Sequence, residues 1–114
     1  MPFNEVDLKR IEKAAATFMA EHRPPAHVRS QLDYEYQIEG QSLELLEVRP
    51  QWDRPSEITR RPFAKATYVR SRNLWKVYWM RGNLTWHPYE TSEAKSIDQF
   101  FSIVGADKFG CFFG

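Results

Sequence analysis

One run of the sequence, "LDYEYQIEGQSLELLEVR" (residues 32–49), constrains the fold more than any other. In its first half Leu32, Tyr34, Tyr36 and Ile38 alternate with Asp33, Glu35, Gln37 and Glu39. A period of two is the mark of a strand with one face buried and the other wet. Gly40 and Gln41 follow, and a Gly-first pair favours a two-residue type II′ turn. That turn sets Glu39 opposite Ser42, Ile38 opposite Leu43 and Tyr36 opposite Leu45. The apolar faces of both strands then coincide, whereas a slip of one residue would turn one set into water. Carried further, the register sets Tyr34 opposite Glu47 and Leu32 opposite Arg49. A chain holding this hairpin is expected to build an antiparallel sheet with one face covered.

Two segments have the pattern to cover it. Residues 4–22 read as a helix with Asn4 as N-cap and Glu5 and Asp7 in the first turn, where acids suit the helix dipole. Phe3 and Leu8 flank the cap at the staple positions. Leu8, Ile11, Ala15 and Phe18 form an apolar stripe, and Pro24 and Pro25 stop the helix. Near the other end, Ser96 and Gln99 fit a capping box, and Ile97, Phe100, Phe101 and Val104 form a second stripe. Gly105 fits the C-terminal stop. The tail "DKFGCFFG" is too apolar to hang in water and is expected to pack on the body, Cys111 with it.

Between these segments the chain reads as more sheet. "PQWDRPSEITRRP" (50–62) has three prolines and mixed charge and reads as a long loop. "FAKATYV" (63–69) reads as a strand, joined by a turn near "RSRN" to "LWKVYWMR". A four-residue turn, 70–73, sets Ala64, Ala66 and Tyr68 beside Trp75, Val77 and Trp79, and Lys65 beside Tyr78. A three-residue turn would flip the whole set. Gly82 and Asn83 offer another Gly-first turn, after which "LTWHPY" returns. On that reading Trp79 pairs with Trp86 and Val77 with Pro88, while Tyr78 meets His87 and Lys76 meets Tyr89. The expected architecture is a single α+β domain over 1–114: N-terminal helix, five-stranded antiparallel meander, short C-terminal helix, with both helices on one sheet face.

Composition limits what such a domain does. The chain has 114 residues, 16 Lys and Arg against 15 Asp and Glu, and one cysteine. Near-balance gives no global pull toward nucleic acid or membrane. One cysteine allows no internal disulfide, which fits a reducing compartment. The first 18 residues mix acids with bases and lack the apolar run of a signal peptide, so a cytoplasmic protein is expected. The balance conceals an asymmetry. Residues 30–47 hold five acids and no base, and residues 48–81 hold nine bases and two acids. The two halves either share one surface as separate patches or pair with each other.

The best candidate binding surface is the second face of the aromatic strands: Lys65, Lys76, Tyr78, His87 and Tyr89. Cations interleaved with aromatic rings hold phosphates and stack bases. The arginines Arg54, Arg60 and Arg61 of the loop, with Arg70 and Arg72 at the next turn, would add phosphate contacts. Ordinary solvent-facing sheet, with lysine stems over tyrosine rings, explains the same pattern. Asp33, Glu44 and Glu47 invite a metal-nuclease reading, but Glu47 is followed two residues on by Arg49, which cannot act as a base in place of lysine. Moreover, Asp33 and Glu44 fall on the strand face opposite Glu47. His22, His27, His87 and Cys111 lack metal-ligand spacing, and no phosphate loop or nucleophile elbow is present. No catalytic residue, metal or cofactor is therefore expected.

The segments "LDYEYQIEGQSLELLEVRPQW" and "AKATYVRSRNLWKVYWMRGNLTWHPYE", with the ending "GCFFG", resemble a bacterial family of small proteins catalogued as a domain of unknown function. The resemblance covers about the last three quarters of the chain. It implies a small single-domain bacterial protein, and it carries over no activity, cofactor or catalytic residue. The expected function is a non-catalytic binding or accessory protein for nucleic acid or another anionic partner such as an acidic protein. The alternatives are a protein-interaction or homodimer module and, third, a metal-dependent hydrolase on the acidic hairpin.

Overall fold

The computed structural model describes residues 3–108 and 110–113. The chain runs α1 (Glu5–His22), β1 (Asp33–Glu39), β2 (Ser42–Pro50), β3 (Ile58–Val69), a short 3-10 turn (Arg70–Arg72), β4 (Leu74–Met80), β5 (Trp86–Ala94) and α2 (Ile97–Ala106). The strands form one antiparallel meander in the order β1-β2-β3-β4-β5. This is the expected α+β architecture.

Asn4 starts α1 by a reciprocal cap. The Asp7 amide donates to Asn4 Oδ1 at 2.8 Å, and the Asn4 amide donates to Asp7 Oδ2 at 3.3 Å. Ile11, Ala14, Ala15 and Phe18 form its buried stripe, and the helix ends at Arg23, whose backbone is extended before Pro24. The first hairpin has the expected register throughout, from Glu39 opposite Ser42 to Asp33 opposite Val48. Gly40 has φ +59°, which its missing Cβ permits. The four-residue link before β4 also holds: Val69 pairs with Leu74 and Ala66 with Val77. Asn73 closes it in the left-handed region at φ 50°.

Both helices pack on the sheet face made by Leu43, Leu45, Ala64, Ala66 and Val77, with Phe100 and Val104 fully buried between. Ala64 and Ala66 let the helical layer approach closely. Phe3 stacks on Trp75 at 5.4 Å, and Phe18 meets Phe101 at 5.1 Å. The C-terminal tail does pack on the body: Phe112 is buried and Cys111 half-buried. Phe109 and Gly114 of that tail lie outside the described residues.

Three expectations are corrected. The loop expected over residues 50–62 is shorter: β2 continues to Pro50, β3 starts at Ile58, and only 51–57 connect them. A register shift between Leu45 and Leu46 lets Pro62 sit within β3 and adds Phe63 to the core side. Gly105 does not stop α2; the helix runs one residue further, and Asp107 takes the left-handed position at φ 40°. Gly105 instead allows close approach to α1, since a Cβ there would lie 2.9 Å from His22 Nε2.

The third correction moves a whole strand. Gly82 and Asn83 do not form a two-residue turn, and Met80, not Trp79, pairs with Trp86. The Asn83 side chain accepts from the Thr85 amide at 3.3 Å and from its hydroxyl at 2.6 Å. Leu84 takes φ 62° and its amide reaches Arg81 O at 2.8 Å. This local turn chemistry widens the loop to residues 81–85 and shifts β5 by one residue. The ladder slips again beyond Pro88, which has no N–H to give, and resumes with Lys76 opposite Glu93.

Candidate binding surfaces

That one-residue shift decides which aromatic groups face solvent. On the sheet face away from the helices, Lys65 of β3 and Tyr78 of β4 are cross-strand partners, with Lys76 one pleat along. Trp86 joins them from β5. The Lys65 ammonium lies 5.0 Å from the Tyr78 ring centre and 4.8 Å from that of Trp86. One cation therefore already occupies a face of both rings. His87 and Tyr89, expected on this surface, lie on the other. His87 pairs with Trp79, and its Nε2 is 2.9 Å from the Thr85 hydroxyl. Tyr89 is 4% exposed and packs on Phe112 at 4.7 Å. Trp86, expected in the core opposite Trp79, takes their place in the open face.

The arginines expected to contact phosphate are largely engaged. Arg60 Nε donates to Glu35 at 3.0 Å, Arg72 to Glu93 at 2.9 Å, while Arg70 lies 3.8 Å from Asp7 and Arg54 3.9 Å from Glu57. The Arg60 to Glu35 pair reaches from β3 to β1 across β2, over the buried Leu46. Glu44 sits opposite Lys65 in the ladder, and Glu47 pairs with Arg49. The acidic and basic halves of the sequence thus meet on one sheet, within β2 and across it.

A tighter pair ties the end of α1 to β1. Arg23 holds Asp33 with two bonds of 2.8 and 2.7 Å. These bonds keep the Asp33 carboxyl below the usual carboxylate range, against a smaller opposing effect of burial. Burial raises Tyr34 and Cys111, with Glu47 adding to the first and Asp107 and Glu90 to the second. Asp33 and Glu44 lie on the open face and Glu47 on the helix side, so the three acids do not converge. Among the described residues no group of three or more His, Cys, Asp or Glu side chains is arranged to hold a metal ion.

The surface feature that sequence reasoning missed is Trp52. β2 and β3 continue to pair just past the end of β1, to Pro50 opposite Ile58, and the connecting loop is tied by its own backbone. The Gln51 amide reaches Glu57 O at 2.9 Å and the Glu57 amide reaches Arg54 O at 2.9 Å. Trp52 stands on this loop 93% exposed. It borders a cleft of about 710 Å³ lined also by Gln31, Glu47, Arg49, Asp53 and Arg61. Arg61 is the one candidate arginine with no carboxylate within 4 Å among the described residues. A sequence signal existed: Trp52 is the only tryptophan outside the stretch 74–89, and no alternation around it provides a buried face.

Residues 3–114 match the model of the family described as "Domain of unknown function (DUF3024)". The chain belongs to this family. The match extends the resemblance of the strand segments through the N-terminal helix of the DUF3024 domain. No curated protein and no solved structure matches the chain. No helix among the described residues is long and apolar enough to cross a membrane.

Proposed function

We propose that this DUF3024 protein is a non-catalytic binding module that holds a segment of another protein in the cleft beside Trp52. The observation that carries the reading is the indole itself, 93% exposed on a tied loop next to Arg61. Tryptophan and arginine are the residues that dominate protein–protein binding energy when they become buried together. The charges around the cleft choose the partner. Arg49 and Arg61 face Glu47 and Asp53, two of each sign, which suits a peptide segment of mixed charge with an apolar side chain against Trp52. A polyanion needs surplus positive charge, and here the carboxylates remove most of it. Nucleic acid, the partner expected from sequence, becomes the rival outcome of the test. A lone cysteine, which can form no internal disulfide, is compatible with a reducing interior, so we read the protein as cytoplasmic.

The test is affinity capture from a native lysate, with and without nuclease, using the wild type and Trp52→Ala. Trp52 makes little contact with its own chain, so its removal leaves stability within about 0.5 kcal/mol. A protein retained after nuclease and lost with Trp52→Ala supports the reading. Retention that survives Trp52→Ala overturns the site, and retention that disappears with nuclease overturns the protein partner.

A further inference from the structure

A second cleft, remote from Trp52, lies between α1 and the junction of β5 with α2, with a volume of about 620 Å³. This is within the range of small-molecule sites, and its two sides differ in chemistry. The floor is aromatic: Phe3, Tyr68 and Trp75 cluster with ring centres 5.1 to 6.4 Å apart, Phe3 stacking on the buried Trp75 and the Arg70 guanidinium lying 5.3 Å from the Tyr68 ring centre. The rim is cationic, with Arg10 and Lys13 one turn apart on α1 and Lys95 just before α2. None of these three has a carboxylate within 4 Å among the described residues, although six other arginines do.

The two acids at the rim do not cancel them. Asp7 is engaged by the Asn4 amide and by Arg70, which leaves Asp98 as the only other carboxylate on the cleft. Three like charges around one opening repel each other, and an anion placed among them is favoured over bulk water. A flat apolar group on the same molecule would pack against the parts of Phe3 and Tyr68 that line the cleft, where it gains burial.

We propose that this groove binds a small molecule joining a phosphate or carboxylate to a flat apolar ring. The anion contacts Lys13, Lys95 and Arg10, and the ring packs against the parts of Phe3 and Tyr68 that line the cleft. This site is independent of the Trp52 cleft, and neither proposal needs the other.

Calorimetric titration of the intact protein with 1-naphthyl phosphate tests it, with 1-naphthol and inorganic phosphate as the separated halves. The expected result is one site per chain, with the ester binding about tenfold or more tighter than either half, as for one charge-assisted contact added to ring burial. Lys13→Gln and Lys95→Gln should each weaken the ester by about fivefold to tenfold, while Trp52→Ala changes nothing. Both lysines are exposed, and thermal unfolding of each variant confirms that it folds. An ester that binds no tighter than 1-naphthol, that does not bind at all, or that ignores both lysine substitutions overturns the proposal.

Discussion

Truncating Trp86 and Tyr89 in turn reads out the register of β5 in solution. The observed pairing buries Tyr89 to 4% exposure and leaves Trp86 half-buried on the open face. The expected two-residue turn would have done the reverse, with Trp86 in the core opposite Trp79. Removing a buried aromatic ring costs about 3–5 kcal/mol, from lost transfer energy and the cavity left behind. Tyr89→Ala belongs in that range because its ring fills space against Phe112. Trp86→Ala loses the contact with Lys65, worth about 0.5–1 kcal/mol, and part of its area. A total near 1–2 kcal/mol is expected, typical of a surface-side substitution with one specific contact. The two costs differ by about 2 kcal/mol. With a urea slope of about 1–3 kcal/mol per molar, the midpoints should separate by about 1 M. Far-UV circular dichroism is the assay, because removing tryptophan disturbs fluorescence. Tyr89→Leu provides a milder step if Tyr89→Ala consumes the whole stability of about 5–15 kcal/mol. Equal midpoints, or Trp86→Ala as the more damaging change, would refute the register and the assignment of faces.

Gly105→Ala should cost about 1–2 kcal/mol, as added atoms do in a packed contact. The cost should shrink when His22→Ala is combined with it, since the new Cβ would meet the His22 ring; an unchanged cost in that double-mutant cycle rejects the contact. Asp33 is held below its ordinary range in the folded chain, so its ion pair with Arg23 adds stability above the unfolded carboxylate value. That contribution is lost as pH falls through the lower folded value. Asp33→Asn should therefore destabilise at neutral pH and flatten the acid limb of a stability profile; parallel profiles would contradict the assignment. Burial pushes the Cys111 thiol up, so alkylation by iodoacetamide at mildly alkaline pH should run several-fold slower than in urea. Equal rates would place the thiol in open water.

What was legible in the sequence depended on whether a local signal fixed the geometry without help from elsewhere. The first hairpin was readable because Gly40 set the turn and both flanking strands alternated, so turn and pattern gave one answer. Helix starts were readable from Asn4 and Ser96, whose side chains bond amides within their own first turns. The failures had competing local signals. Pro62 and its arginines looked like loop, and only the irregularity beside Leu46 lets a proline lie within that ladder. Gly82 pointed to a short turn, but the Asn83 amide side chain bonded Thr85 and made a longer one. A single-residue error there reversed His87, Tyr89 and Trp86 together, because a strand has only two faces. Lys65, Lys76 and Tyr78 kept their predicted face because they lie on β3 and β4, upstream of the misread turn.

The charge asymmetry of the sequence then takes on a different meaning. Patches of opposite sign would have made a field reaching well beyond the surface. Instead, Glu35 pairs with Arg60 across β2, Glu47 with Arg49 along β2, and Glu93 of β5 with Arg72 of the turn before β4. Exposed pairs of this kind contribute only about 0–1 kcal/mol each to stability, so holding the fold together is a small part of their effect. Their larger consequence is to cancel the long-range field, because an ion pair viewed from beyond a Debye length of about 8–10 Å is nearly neutral. Recognition must then rest on short-range features where charge is left over and an aromatic surface lies beside it. Arg61, in the cleft that Trp52 borders, satisfies that condition, as do Lys13 and Lys95 at the cleft lined by Phe3 and Tyr68. Lys65 does not, since its ammonium already covers the rings of Tyr78 and Trp86. The aromatic stretch 74–89 that dominates the sequence therefore serves mainly to build the sheet, and the two binding sites proposed above lie outside its open face, at the β2–β3 loop and the α1 groove.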